Sequence, residues 1–254
     1  MSFAQNTNLS DQSNQQRPDD PVYRKLHRAF FAACVLLAPL TLSLWFGLCP
    51  QYGDPACPNN TNYLAVLVAY RAANPLLLQV FLFINIVIPY VYPASYIGLG
   101  LLTMKRSPWL ATLGIACGFV GSIVWSLIAD QSFLYNSMAH LGHDALFALV
   151  WMEYAKNWEP WVMGGGWVIG HQLAYVLLGI ALLRARITPR WAAWLLIVSA
   201  PVMGPIAYGT KLGLLQISGY MLVFIGSIPA ALAMLTRKEQ LAADPVSEKP
   251  APAL

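Results

Sequence analysis

Residues 109–129 read WLATLGIACGFVGSIVWSLIA, and this stretch decides the fold class of the chain. It contains no Asp, Glu, Lys or Arg. An α-helix of this length rises about 30 Å, which is the thickness of the hydrocarbon core of a bilayer. Lys105 and Arg106 precede the stretch and Asp130 follows it, so charged residues mark both ends. The pattern predicts a transmembrane helix.

Five further stretches are uncharged or nearly so, and together the six predict an all-α, polytopic transmembrane bundle. Their bounds are 29–49, 75–104, 161–183, 191–209 and 212–236. Of the 254 residues, 57% are hydrophobic and only 10% are charged, against about 25% charged in soluble proteins. So few charges cannot cover a water-exposed surface. We therefore expect the outer surface of the bundle to contact the lipid bilayer.

Polar tails flank the helical region. Residues 1–27 and 238–254 are polar or rich in Pro and charge, and we expect both to be disordered in the cytoplasm. The six-helix transmembrane domain then covers 28–237. Two more stretches, 63–73 and 132–152, are predicted to be amphipathic interfacial helices on the outer side. For the second, burial between the spans is the alternative.

The basic residues predict the orientation of the bundle. With six spans and a cytoplasmic N-terminus, all of the 15 basic residues except Arg71, Lys156 and Lys211 lie on the cytoplasmic side. This follows the positive-inside rule, and a seventh span at 132–152 would break it by moving the basic turn 184–190 outside. We expect a multi-pass protein of a bacterial cytoplasmic membrane with both termini inside. Basic residues at span ends, rather than in a stripe, exclude nucleic acid as a partner.

An order of features recurs at an offset of about eighty residues. Each copy has a Tyr, a basic residue, Asn and Pro, then a span, a basic turn and Pro close to Trp. The first copy consists of Tyr70, Arg71, Asn74, Pro75, Pro108 and Trp109, and the second of Tyr154, Lys156, Asn157, Pro160, Pro189 and Trp191. The order predicts two copies related by an axis along the membrane normal, an arrangement that places a cavity between the halves. The alternative is that membrane constraints alone put aromatics, Arg and Pro at every turn.

A first candidate site is a metal site on the predicted outer helix. His140, His143 and Asp144 are spaced i, i+3 and i+4, which places them on one helix face. Two imidazoles and a carboxylate suit a transition metal, with Asp130, Glu153 or a folded-in His171 as a further ligand. The alternative is the polar face of an interfacial helix, in which case the protein holds no cofactor.

A second candidate site lies within the bundle. His171 and Gln172 fall in the middle of a predicted span, where polar groups must find partners inside the protein. With Asn85 and Tyr92 they are predicted to line an inward-facing cavity that binds or passes a small apolar or lipid-like ligand. The alternative role for His171 is a structural hydrogen bond between helices, with three candidate acceptors or donors: Asn85, Gln79 and Gln216.

Several chemistries are disfavoured by the sequence. No acidic or basic residue lies at the centre of a span, although ion pumps and proton-coupled carriers usually keep such groups there. The catalytic signatures G-x-S-x-G and H-E-x-x-H are missing from the sequence. The first hypothesis is therefore a non-enzymatic ligand-binding protein, and the alternative is a membrane enzyme or metalloprotein with the outer-face site.

Two further features concern the oligomeric state of the protein and the pairing of two cysteines. Gly114 and Gly118 form a G-x-x-x-G pair, which lets a second helix approach closely and provides a route to a homo-oligomer. Cys49 and Cys57 flank a short outer loop, and their spacing permits either a disulfide or two free thiols.

The segment 70–75, YRAANP, and the turn 189–194, PRWAAW, together resemble uncharacterised multi-pass bacterial membrane proteins assigned to domains of unknown function. The resemblance covers about 28–237 and implies a multi-pass helical fold. It implies no activity and no site residues. His140 and His143 are not features of that family.

Overall fold

The computed structural model describes residues 21–48, 71–142, 146, 149–150, 153–154, 156–207 and 213–236. Every regular element within these ranges is helical. The main helices are α1 (Pro21–Leu48), α2 (Pro75–Thr103), α3 (Pro108–His140), α4 (Glu159–Ala185), α5 (Arg190–Pro201) and α6 (Gly213–Thr236). A π-helical turn, Val202–Ile206, continues α5.

Five of these helices are long and apolar enough to cross a membrane, counted over the described ranges. They correspond to α1, α2, α3, α4 and α6. The remaining apolar helix, Arg190–Ile206, is shorter, and its regular α-helical part ends at Pro201. The predicted all-helical fold is therefore confirmed. Six spans were predicted, and five helices are long enough to be spans within the described ranges.

Helix α3 differs from its predicted bounds. It does not end at Ala129 but continues through the exposed Asp130 to His140. One exposed acidic residue costs a helix only a few tenths of a kcal/mol, so it does not end the helix. Arg71 contacts the part of α3 beyond Asp130, because its Nη1 donates a hydrogen bond to the Asn136 carbonyl oxygen at 3.2 Å. Residues 132–140, predicted to start a separate interfacial helix, are thus a continuation of α3.

Other predictions fall where the structure gives no description. The tails 1–20 and 237–254, most of the predicted interfacial helix 63–73, and both Cys49 and Cys57 lie outside the described residues. The disorder, the interfacial position and the disulfide predicted for these segments remain predictions.

The helices form a ring in chain order. Each helix packs against the next one, and α6 closes the ring by packing against α1. Helix α2 also contacts α4 and α6, so α2 has neighbours on both sides and across the ring. The centre of the bundle is mainly aromatic, and its largest fully buried side chains include Trp125, Tyr92, Tyr96, Tyr175 and Phe81.

The hairpins α2–α3 and α4–α5 pack alike. A methyl group built on Gly100 of α2 would strike Ile115 of α3, and one built on Gly179 of α4 would strike Ile197 of α5. Gly179 follows Gly100 by 79 residues, close to the offset of the predicted repeat. The same close approach of a glycine to an isoleucine therefore occurs in both copies.

The turns of the two hairpins lie at the same end of the ring. Arg106, in the turn between α2 and α3, donates a hydrogen bond from Nη1 to the Ala185 carbonyl oxygen at the end of α4, at 3.2 Å. Arg186 ends α4 in the left-handed conformation with φ 54°, and its N–H bonds the Leu182 carbonyl oxygen. Both arginines thus satisfy carbonyl groups that the end of α4 leaves free.

Candidate functional site

Two pairs of polar aromatic side chains meet at the centre of the ring. Tyr92 and Tyr96 are one helical turn apart on α2, and His171 and Tyr175 are one turn apart on α4. Spacing of i and i+4 places each pair on a single helix face. None of the four is more than 1% exposed. The second pair follows the first by 79 residues, so the predicted repeat brings equivalent positions together.

Rings from α2, α4 and α6 surround the imidazole of His171. Trp167 stacks on it with ring centroids 4.4 Å apart and an interplanar angle of 21°. The centroids of Tyr92, Tyr175 and Tyr220 lie at 4.9, 5.1 and 5.6 Å. We call the side chains Tyr92, Tyr96, Trp167, His171, Tyr175 and Tyr220 the His171 cluster.

The imidazole uses one of its two nitrogens. His171 Nδ1 is hydrogen-bonded to the hydroxyl of Tyr96. The sequence had suggested Asn85, Gln79 or Gln216 as the partner, and none of these three residues is bonded to Nδ1. His171 Nε2 is buried and has no hydrogen-bond partner among the described residues. If the Tyr96 hydroxyl donates, Nδ1 accepts and the neutral imidazole carries its proton on Nε2. We assign this tautomer because a neutral phenol is the stronger donor.

The cluster continues into a row of tryptophans in tilted and edge-on contact. Trp167 lies 4.5 Å from Trp125 of α3, and Trp125 lies 5.1 Å from Trp45 of α1, between ring centroids. Trp125 is 2% exposed, and its indole Nε1 lacks a hydrogen-bond partner in the part of the chain that the structure describes. A second buried N–H donor thus lies next to Trp167, on the side away from His171.

The tyrosine hydroxyls of the cluster form a third group of polar atoms. Those of Tyr92 and Tyr175 are close enough to interact, yet neither makes a hydrogen bond of ordinary geometry within the described ranges. The centre of the bundle is therefore rich in donors that the described residues leave unpaired.

Of the four residues predicted to line a ligand cavity, only Tyr92 and His171 come together. Asn85 lies at the far end of the tryptophan row, where its Oδ1 accepts a hydrogen bond from Trp45 Nε1 at 2.9 Å. Its Nδ2 donates to the Phe81 carbonyl oxygen at 3.1 Å, so both ends of the amide are used. Gln172 is half-buried, and its amide lies against Gly204 in the π turn.

The predicted metal site is described only in part. His140 is exposed at the end of α3, whereas His143 and Asp144 lie outside the described residues. Within the described ranges, no three residues of the types His, Cys, Asp and Glu come close enough together to hold a metal ion. The metal site at 140–144 stays a prediction.

The glycines of α3 position His171 rather than presenting a free face. Gly118 lies against the ring of Tyr96. A methyl group built on Gly121 would lie 2.9 Å from the backbone nitrogen of His171, and one built on Gly170 would lie 2.8 Å from the Cys117 carbonyl oxygen. Helices α3 and α4 thus cross with backbone against backbone beside His171. The G-x-x-x-G face is filled within the chain, so a homo-oligomer would need another surface.

Of the six side chains in the His171 cluster, only Tyr92 and His171 were predicted to be site residues. Neither Tyr96 nor Tyr175 was predicted to be a site residue. Aligning the copies at the offset of 79 places Tyr92 over His171 and Tyr96 over Tyr175. That alignment was the signal that could have identified the pairs. For Trp125, Trp167 and Tyr220 no such signal exists, because aromatic residues are frequent throughout the spans.

Comparison of the chain with protein-family models, with curated proteins and with solved structures gave no match.

Proposed function

We propose that this chain is a six-span protein of a bacterial cytoplasmic membrane that binds a small lipid-soluble molecule at the His171 cluster. The short helix Arg190–Ile206 is the sixth span in this proposal. An even number of spans leaves both termini on the same side of the membrane, and we propose that this side is the cytoplasm. The two basic turns at one end of the ring, which hold Arg106 and Arg186, support that orientation.

The observation that carries the proposal is the buried, unpaired Nε2 of His171. Leaving a buried polar atom without a partner costs about 1–3 kcal/mol, and lipid around the bundle supplies no water to offset the cost. Polar groups kept inside a membrane protein at such cost mark functional positions. A bound molecule that pairs with Nε2 and with Trp125 Nε1 would remove the penalty at both atoms.

The chemistry of the cluster favours binding over catalysis. Its six side chains offer flat ring faces, hydroxyls and N–H groups, and none of them carries a carboxylate or an ammonium group. Ring faces and a few directed polar atoms are the usual lining of a small-molecule site. The alternative of a metalloprotein with a site at 140–144 rests on residue spacing alone.

Access to the cluster is proposed to lie at the π turn Val202–Ile206. π turns interrupt the regular α-helical hydrogen bonding and occur frequently at functional sites. Gly204 of this turn lies against Gln172, the residue next to His171, and Met203 lies against Gly219 of α6. The turn thus contacts α4 and α6 beside the cluster. A small movement of α5 at this place would admit a molecule from the bilayer.

The proposal is tested by identifying what the protein retains from its membrane. Wild type and His171→Phe are purified in lipid nanodiscs, and the extracted small molecules are compared by mass spectrometry with those of empty nanodiscs. We expect one lipophilic compound enriched about tenfold or more with wild type and lost with His171→Phe. A tenfold difference corresponds to about 1.4 kcal/mol, close to one hydrogen bond in a dry site.

Tyr90→Phe is the matched control, because Tyr90 is on α2 near Tyr92 but is 74% exposed. This variant should retain the compound. Trp125→Phe serves as a second test variant if His171→Phe fails to fold. Equal retention by wild type and by the folded test variant, or no enrichment with wild type, would contradict the proposed function.

A further inference from the structure

From the donors and ring faces of the site, and resting on the proposed function, we infer that the ligand is a neutral, planar, carbonyl-bearing ring with an apolar tail, the chemistry of a lipid-soluble quinone. His171 Nε2 and Trp125 Nε1 are the donors, and the aromatic side chains around His171 are the ring contacts. The inference names a ligand class, whereas the proposed function requires only that some lipid-soluble molecule binds.

The unpaired nitrogens call for a hydrogen-bond acceptor on the ligand. Indole Nε1 of Trp125 is a donor only, and His171 Nε2 is a donor in the tautomer that accepts from Tyr96. A molecule whose polar atoms are donors would leave both nitrogens unpaired. Because Trp167 lies between the two donors, each of them needs its own acceptor. A quinone carries two carbonyl oxygens, held apart by its ring, and neither oxygen has a proton of its own.

The absence of ionic groups from the cluster calls for a neutral ligand. None of the six cluster side chains is Asp, Glu, Lys or Arg. An ion taken out of water without an opposite charge beside it loses its hydration, so neither an anionic nor a cationic ligand is stabilised at this place. This excludes carboxylates, phosphates and ammonium compounds as classes.

The ring geometry calls for a flat ligand. Trp167 stacks on the imidazole of His171 at 4.4 Å and is tilted by 50° to the indole of Trp125 at 4.5 Å. Rings of Tyr92 and Tyr220 also lie beside the imidazole, so the surroundings of His171 are aromatic. Aromatic rings prefer offset, tilted or edge-to-face contacts with one another. A conjugated ring that enters beside these side chains makes such contacts, whereas a single acyl chain does not.

The test measures the binding of decylubiquinone to the protein in phosphatidylcholine nanodiscs by quenching of tryptophan fluorescence. His171→Phe retains all nine tryptophans, so quenching by quinone dissolved in lipid is the same in both proteins. We expect saturable quenching with wild type and an apparent Kd about tenfold higher, or no saturation, with His171→Phe. Trp125→Phe should raise the Kd about three- to tenfold, the effect of one lost hydrogen bond.

Three comparisons separate this inference from its rivals. Trp109→Phe, at an 80% exposed tryptophan of the same helix as Trp125, should leave the Kd unchanged. Decylbenzene, which has the ring without acceptors, and methyl decanoate, which has an acceptor without the ring, should not displace the quinone. If either displaces it equally, or if decylubiquinone shows no saturable binding, the quinone inference is overturned while the compound found by extraction can still uphold the proposed function. If His171→Phe does not fold, the Trp125→Phe and Trp109→Phe pair decides.

Discussion

Replacing Gly170 by Ala is expected to lower the free energy of unfolding by about 3 kcal/mol, the upper part of the range for overpacking a tight contact. The added methyl group would lie 2.8 Å from the Cys117 carbonyl oxygen and 3.0 Å from the Gly121 backbone nitrogen. Both are backbone atoms, so no side chain can rotate away and α3 and α4 must separate. The measurement is reversible unfolding in mixed detergent micelles, followed by circular dichroism.

Gly165→Ala provides the control on the same helix. A methyl group there meets no atom within 4 Å, and Ala is the better helix former, so this variant should match or slightly exceed wild-type stability. Equal stability of Gly170→Ala and Gly165→Ala would show that α3 and α4 do not cross at Gly121 and Gly170. The crossing lies beside His171, so its loss would also remove the structural basis of the site.

The second large effect is expected from the Tyr96–His171 pair in the ligand-free protein. Tyr96→Phe leaves His171 Nδ1 without its buried partner and should cost about 1–3 kcal/mol of unfolding free energy. Adding His171→Phe removes both polar partners, and the lost Tyr96 hydroxyl leaves space for the larger ring. The double variant should therefore be as stable as wild type or more stable, because the unpaired Nε2 disappears as well.

A double-mutant cycle of wild type, both single variants and the double variant measures the coupling between the two side chains. We expect the double variant to recover all of the stability that Tyr96→Phe loses, or to exceed wild type, while it fails to bind ligand. Such a trade of stability against function is typical of polar groups kept at a binding site. If the two losses simply add, Tyr96 and His171 do not act as a pair.

Most of the fold could be predicted from the sequence because apolar length and flanking charge act locally. The predicted span 75–104 begins at Pro75, where the missing N–H costs nothing, and the structure begins α2 there. Helix α3 begins at Pro108, one residue before the predicted start at Trp109. The end of α3 could not be predicted in the same way. The sequence shows a charge at Asp130, but only tertiary contacts such as that of Arg71 with Asn136 show that the helix continues beyond it.

The site was harder to predict because its contacts join distant parts of the chain. His171 was recognised as a polar residue in an apolar span, yet its partner, Tyr96, is 75 residues away and is one of 12 tyrosines. Asn85 had the same local signature as His171, and the structure gives it a hydrogen bond to Trp45 instead. A polar residue in a span indicates that a partner exists, whereas the fold decides which one.

The central claim is that His171 presents a protonated Nε2 to a ligand in a place that water does not reach. It is tested most directly by nitrogen NMR of histidine-labelled protein in nanodiscs, because the chain has only 4 histidines and His171→Phe assigns the signal of His171. We predict a neutral imidazole protonated on Nε2, hydrogen exchange far slower than that of the exposed His140, and a shift of the Nε2 signal when ligand is added. Rapid exchange of the His171 proton with water, or a signal that ligand leaves unchanged, would contradict the account.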